Sequence, residues 1–154
     1  MPDNPRHDSR ATGYLAAMSL FGTGVLTAAR LHRLRGSSLP AGYTSHDLLL
    51  GAIATHKFTR LVSKDAVTTP LRAPFTTFEG AAGSAEVNES PKDGHLHTVG
   101  ELLTCPFCLA PWVSTAYVVT LGFTPRLARA WAAVFSIVAG SDFLQQAYAR
   151  ARTE

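Results

Sequence analysis

Four stretches of the chain are apolar over helical lengths, and the polar positions between them set their limits. With about 1.5 Å of rise per residue, a helix needs roughly 20 mostly apolar residues to cross the hydrocarbon core of a bilayer. Thr12 to Ala29 carries no charge over 18 residues and stops at Arg30-Leu31-His32-Arg33. Its small residues Gly24 and Ala28 predict close approach of another helix. Leu102 to Pro125 is also uncharged and holds a second span. Ala130 to Ala149 has one acid, Asp142, and a stripe of Ala128, Ala132, Ser136 and Gly140 that predicts a face turned to a neighbour. Gly122-Phe123-Thr124-Pro125-Arg126 joins these last two as a tight antiparallel hairpin, with Arg126 and Arg129 at the headgroup level.

Asp47 to Val62 breaks the pattern. It begins Asp-Leu-Leu-Leu but is interrupted by His56, Lys57 and Arg60. Such a helix either spans with its basic end snorkelling or lies in the interface. A segment of about 40 residues, 63–104, separates it from the next span, and a connection that long is usually functional or disordered. Within it, Thr98-Val99-Gly100-Glu101 matches a capping box and predicts a short helix to Thr104.

Composition agrees with lipid: 46% of residues are hydrophobic and 16% charged. The net charge of +3 comes from Lys and Arg scattered in ones and twos, without the basic stripe of nucleic-acid binders, so nucleic acid is excluded as a partner. The first apolar run lacks a small-residue cleavage site and reads as a retained anchor, not a secretory signal. In a four-span arrangement, nine Lys and Arg fall on the side of both termini and the long loop, against five opposite. That excess places the loop and both cysteines in the cytoplasm.

The blocks HKFTRLVSKDAVTTPLRAPFTTFEG (56–80), EVNESP (86–91), GELLTCPFCLAPW (100–112) and AGSDFLQQAY (139–148) occur in this order. Together they resemble an uncharacterised bacterial membrane-protein family, domain of unknown function 1360, over roughly residues 44 to 150. The resemblance implies a small multi-pass protein of the bacterial plasma membrane, with helices on either side of a polar segment. It implies no established activity. The first span and the linker to Tyr43 lie outside the matching blocks.

Three constellations carry chemistry. Pro106 fits the first position of a helix, making Cys105 its N-cap and turning the Cys108 amide toward the first sulfur. A sulfur there favours thiolate, the basis of a membrane dithiol oxidoreductase through Cys105 and Cys108. His95 and His97 upstream complete a zinc alternative with the same cysteines. The plain reading is that both thiols pack at the start of a helix that Pro111 kinks or restarts. Second, His56, Arg60 and Lys64 share a helix face with Lys57 and Asp65 beside them. Asp142 predicts an ion pair with Lys57, Arg60 or Arg72. Third, Arg72 sits between Pro70 and Pro74, placed to meet a phosphate or a carboxylate or to lie at the membrane surface. No nucleotide loop, His-Glu-x-x-His motif or nucleophile elbow is present to nominate a hydrolase.

The sequence therefore predicts an all-α polytopic membrane protein of three to four transmembrane helices with a structured polar loop. Residues 1–43 form an anchor and linker, and residues 44–150 a membrane domain that includes the loop 63–104. Its expected role is non-enzymatic: binding a protein partner, a lipid or a second copy through the loop and the basic face around Arg60, with no cofactor unless zinc.

Overall fold

The structure, a computed structural model, describes residues 5–36, 42–83, 85–94 and 96–152, and the side chains from residue 10 onward. Among these residues six α-helices follow in order: α1 (Pro5–Leu34), α2 (Ser45–Lys64), α3 (Thr69–Arg72), α4 (His97–Thr104), α5 (Pro106–Phe123) and α6 (Pro125–Ala151). A 3-10 turn at Ala66–Thr68 links α2 to α3. The fold is not purely helical. Strands β1 (Thr76–Ala81) and β2 (Val87–Pro91) pair antiparallel inside the polar loop. Pro70 and Pro74 prevent α3 from continuing, and Thr76, Thr77 and Phe78 are residue types that suit a half-buried pleat.

Among the described residues three helices, Arg10–Leu34 within α1, α5 and α6, are long and apolar enough to cross a membrane. Helix α2 is not among them, yet it lies at the centre, packed along both α5 and α6. Thr44 caps it by accepting the Asp47 amide at 3.1 Å. Its buried face is Gly51, Ala54, Thr55, Thr59 and Ser63. Small side chains there let the backbones come together. A Cβ on Gly51 would collide with the Tyr117 ring, whose hydroxyl donates to the Asp47 carbonyl at 3.0 Å.

Cross-helix contacts fix the directions. Asp47 meets Arg129 and Lys57 meets Asp142, so α2 and α6 run parallel. Tyr117 meets the start of α2, so α5 runs opposite. On α1, Tyr14 reaches Glu101, Phe21 stacks edge-on against Trp112 and His32 packs on Phe123, so α1 runs with α5. The loop, the cysteines, the N-terminal end of α1 and the C-terminal end of α6 consequently share one end of the bundle. Thr124 alone separates α5 from α6.

Several sequence expectations shift. Ala128 and Ala132 are buried and Ser136 donates to the Leu50 carbonyl at 3.2 Å, but at the next turn Ala139 is buried in place of Gly140. Nothing in the structure lies within 4 Å of a Cβ on Gly24, so α1 does not use it to approach a neighbour. Helix α4 starts at His97 after Leu96, without a side-chain cap. Thr98 instead faces Gly13 of α1, and Glu101 accepts the Tyr14 hydroxyl at 2.5 Å. Pro111 lies inside α5, which neither stops nor restarts there.

Candidate functional site

Beside an apolar core around Ala54, Tyr117, Leu121, Ala128 and Ala132, the bundle exposes large apolar side chains and buries polar ones. Leu15, Met18, Leu20, Leu26, Leu127, Ile137, Phe143 and Leu144 are exposed, whereas Asp47, Thr55, Thr59, Ser63, Thr68 and Arg72 are buried. Charged and polar groups gather at two places near the C-terminal end of α2.

The first is a staple under the hairpin. Arg72 has no exposed side-chain surface, and Glu89 has 2%. Its Nε donates to Glu89 Oε2 at 2.6 Å, Nη1 to the Val62 carbonyl at 2.6 Å and to Thr68 Oγ1 at 2.5 Å, and Nη2 to the Asp65 carbonyl at 3.1 Å. Thr76 adds a hydroxyl to Glu89 at 3.1 Å. One guanidinium thus ties the end of α2, the 3-10 turn and β2 together. The carboxylate foreseen for Arg72 is internal, and the side chain is closed to any outside phosphate or membrane surface.

Burial alone would raise the Glu89 carboxyl, but the Arg72 hydrogen bonds and charge, with Thr76, outweigh it and hold it below its ordinary 4.5. A carboxyl depressed in the folded state stabilises fully above its unfolded value, and that contribution disappears as pH falls through the folded value. Amide-exchange protection of β1 and β2 is therefore expected to hold down to about pH 4.5 and to drop below it. Glu89→Gln should lower protection at neutral pH and remove that acid-dependent step. Equal wild-type protection at about pH 3 and about pH 7 would contradict the assignment.

The second place is a cleft of about 670 Å³ between the later halves of α2 and α6 and the hairpin tip. It gathers His56, Lys57, Arg60, Asp65 and Asp142. Lys57 Nζ lies 2.8 Å from Asp142 and 3.8 Å from Asp65, so Asp142 has the first of its expected partners. Arg60 is bidentate to Glu86, Nη2 reaching Oε1 at 2.5 Å and Oε2 at 2.7 Å. Lys64 and Arg72, expected with them, do not line the cleft. Glu86 was not foreseen. It is brought to Arg60 because the hairpin tip folds back on the end of α2, the Ala66 amide donating to Ala85 O at 2.8 Å and Asp65 bridging Glu86. Gln145 and Gln146 complete a polar wall on α6.

The cysteines stand elsewhere, at the α4–α5 junction. Cys105 caps α5, its sulfur accepting the Cys108 amide at 3.2 Å, and both thiols are free. His97 Nδ1 lies 3.2 Å from the Lys92 carbonyl, and Nε2 lies 3.2 Å from Glu101, off the direction of a hydrogen bond. His95 lies outside the described residues. Among the described residues no three potential metal ligands cluster, and His97 and Cys105 sit at opposite ends of α4, about 12 Å apart along its axis. The described donors thus do not assemble a four-ligand zinc site.

An apolar-surfaced helical bundle with a polar staple and a charged cleft at one end defines the class: a predominantly helical protein with three helices able to cross a membrane. The chain belongs to the family described as protein of unknown function (DUF1360), which matches residues 49–148. The match takes in α5 and nearly all of α2 and α6, together with the whole loop, and leaves α1 outside. No curated protein and no solved structure matches the chain.

Proposed function

We propose that this protein is a multi-pass membrane protein, in the plasma membrane of a bacterial cell as the family resemblance implies, that acts as a non-enzymatic binding module through the cleft between α2, α6 and the hairpin. One observation carries this reading: a charged cleft opens at the polar end of a bundle whose outer surface is apolar. Helix α1 and α6 exceed the roughly 30 Å of a hydrocarbon core, α5 comes close to it, and α2 adds a fourth pass that buries Asp47, Thr55, Thr59 and Ser63 and carries the exposed His56 and half-exposed Arg60 toward its cleft end. Counting about 30 Å from Pro125 reaches residue 145, so Asp142 to Gln146 fall at the headgroup level. The cleft's charged residues are engaged with one another, an arrangement for holding a ligand more than for transferring a proton or group.

Single-cysteine probes in a Cys105→Ser/Cys108→Ser background test both halves. A probe at Asp93 is expected to react with a membrane-impermeant maleimide from one side and a probe at Arg126 from the other. A probe at Gln146 should react more slowly in native membranes than in delipidated protein, relative to Asp93. Reaction of Asp93 and Arg126 from the same side would remove the membrane arrangement. A Gln146 rate indifferent to delipidation would remove the binding reading.

A further inference from the structure

The cleft is not a simple cation or anion site. Counting its lining residues with His56 neutral, two cations, Lys57 and Arg60, face three carboxylates, Asp65, Glu86 and Asp142. A purely anionic ligand would meet the carboxylates, and a purely cationic one the Lys and Arg. Two charges of opposite sign are nonetheless partly open: the Arg60 side chain is 43% exposed and that of Asp142 is 42% exposed. Each also has bonding capacity to spare among the described residues. Arg60 spends Nε and Nη2 on Glu86, leaving Nη1. Asp142 meets Lys57 through Oδ2, leaving Oδ1. The exposed His56 lies one turn from Arg60 on the same helix face.

A guanidinium N–H pair suits a phosphate oxygen, and a free carboxylate oxygen suits an ammonium. The apolar rim is next to both: Phe143 lines the cleft and Leu144 follows it, each largely exposed. Resting on the binding reading above, we infer that the cleft takes a zwitterion carrying one phosphate and one primary amine. The phosphate lies on Arg60 Nη1 and His56, and the ammonium on Asp142 Oδ1. The same chemistry is offered by a phosphatidylethanolamine headgroup and by free phosphoethanolamine. The apolar rim favours the lipid, whose acyl chains would run along the outer face of α6.

Full-length protein, delipidated and then equilibrated with phosphatidylcholine vesicles doped with phosphatidylethanolamine or phosphatidylglycerol, tests this by native mass spectrometry of retained lipid. Retention of phosphatidylethanolamine about tenfold over both other lipids is expected, the scale of one charge-assisted hydrogen bond. Asp142→Asn should abolish discrimination against phosphatidylcholine, since the ammonium then loses its carboxylate. The double variant Arg60→Gln/Glu86→Gln, which strands neither partner, should lower retention of phosphatidylethanolamine about tenfold while leaving the fold intact by circular dichroism. Added O-phosphoethanolamine distinguishes the sources. Displacement of the lipid at comparable concentration assigns the site to the free headgroup compound, and no displacement assigns it to the lipid. Equal retention of phosphatidylethanolamine and phosphatidylcholine, or preference for phosphatidylglycerol, would overturn the proposal. If that happened while the Gln146 probe stayed protected, the cleft would still bind something, and only the ligand class would be wrong.

Discussion

Arg72→Met is expected to cost about 3–5 kcal/mol of stability, the usual penalty for stranding one member of a buried ion pair. Glu89 would be left charged with 2% of its side chain exposed, and the Val62 and Asp65 carbonyls would each lose a donor. The damage should be local in place but large in size: the hairpin, the 3-10 turn and the last turn of α2 all hang on this guanidinium. Loss of amide protection over β1 and β2 and a lower unfolding midpoint in detergent are the readouts. Arg72→Met combined with Glu89→Leu should recover only part of the loss. Removing both charges cancels the stranded carboxylate, but the Val62 and Asp65 carbonyls still lack the Arg72 donors. Full recovery would mean that the carbonyl contacts contribute little. An unchanged midpoint in the single variant would remove the staple as a structural element.

Gly51→Val is expected to disrupt the bundle itself. Even the first carbon of a side chain there would clash with the Tyr117 ring carbons, and Tyr117 is 6% exposed and anchored to the Asp47 carbonyl. Overpacking a tight core costs typically about 1–3 kcal/mol, and the extra branch of valine places this case at the upper end. Trp131, whose ring centroid is 5.8 Å from that of Tyr117, should report the displacement as a changed emission spectrum. Gly51→Ala should be milder, and Gly51→Ala with Tyr117→Leu milder still, because the shorter side chain frees the space. If alanine and valine at this position were equally silent, the close approach of α2 and α5 would be refuted.

These two positions illustrate what the chain discloses by itself. Helical lengths, the uncharged runs and the Pro106 cap follow from local rules, and Cys105 accepts the Cys108 amide as the spacing foretells. Local rules also put His56, Lys57 and Arg60 on one helix beside Asp65. They fail where partners are distant. Nothing near Glu86 announces Arg60, 26 residues earlier, and nothing near Arg72 announces Glu89, 17 residues later. Thr98 and Glu101 match a capping box by type and spacing, but α1 supplies Gly13 and Tyr14, and tertiary contact overrides the local option. The hairpin was hidden for a related reason. Its strands are short, and β1 takes an extra residue at Glu79, between Phe78 and Gly80, which blurs the alternation that marks a strand.

Helix α2 carries charged residues into the middle of the bundle, and their partners lie far along the chain. Asp47 is neutralised by Arg129 at 2.8 Å, 82 residues further along. Lys57 finds Asp142 later still. On the membrane reading, α2 is too polar to be stable in lipid when it first leaves the ribosome. It becomes acceptable only after α6 has been made. On that reading the bundle is complete only once α6 has met the earlier α2, because Asp47 and Lys57 have their partners Arg129 and Asp142 on it.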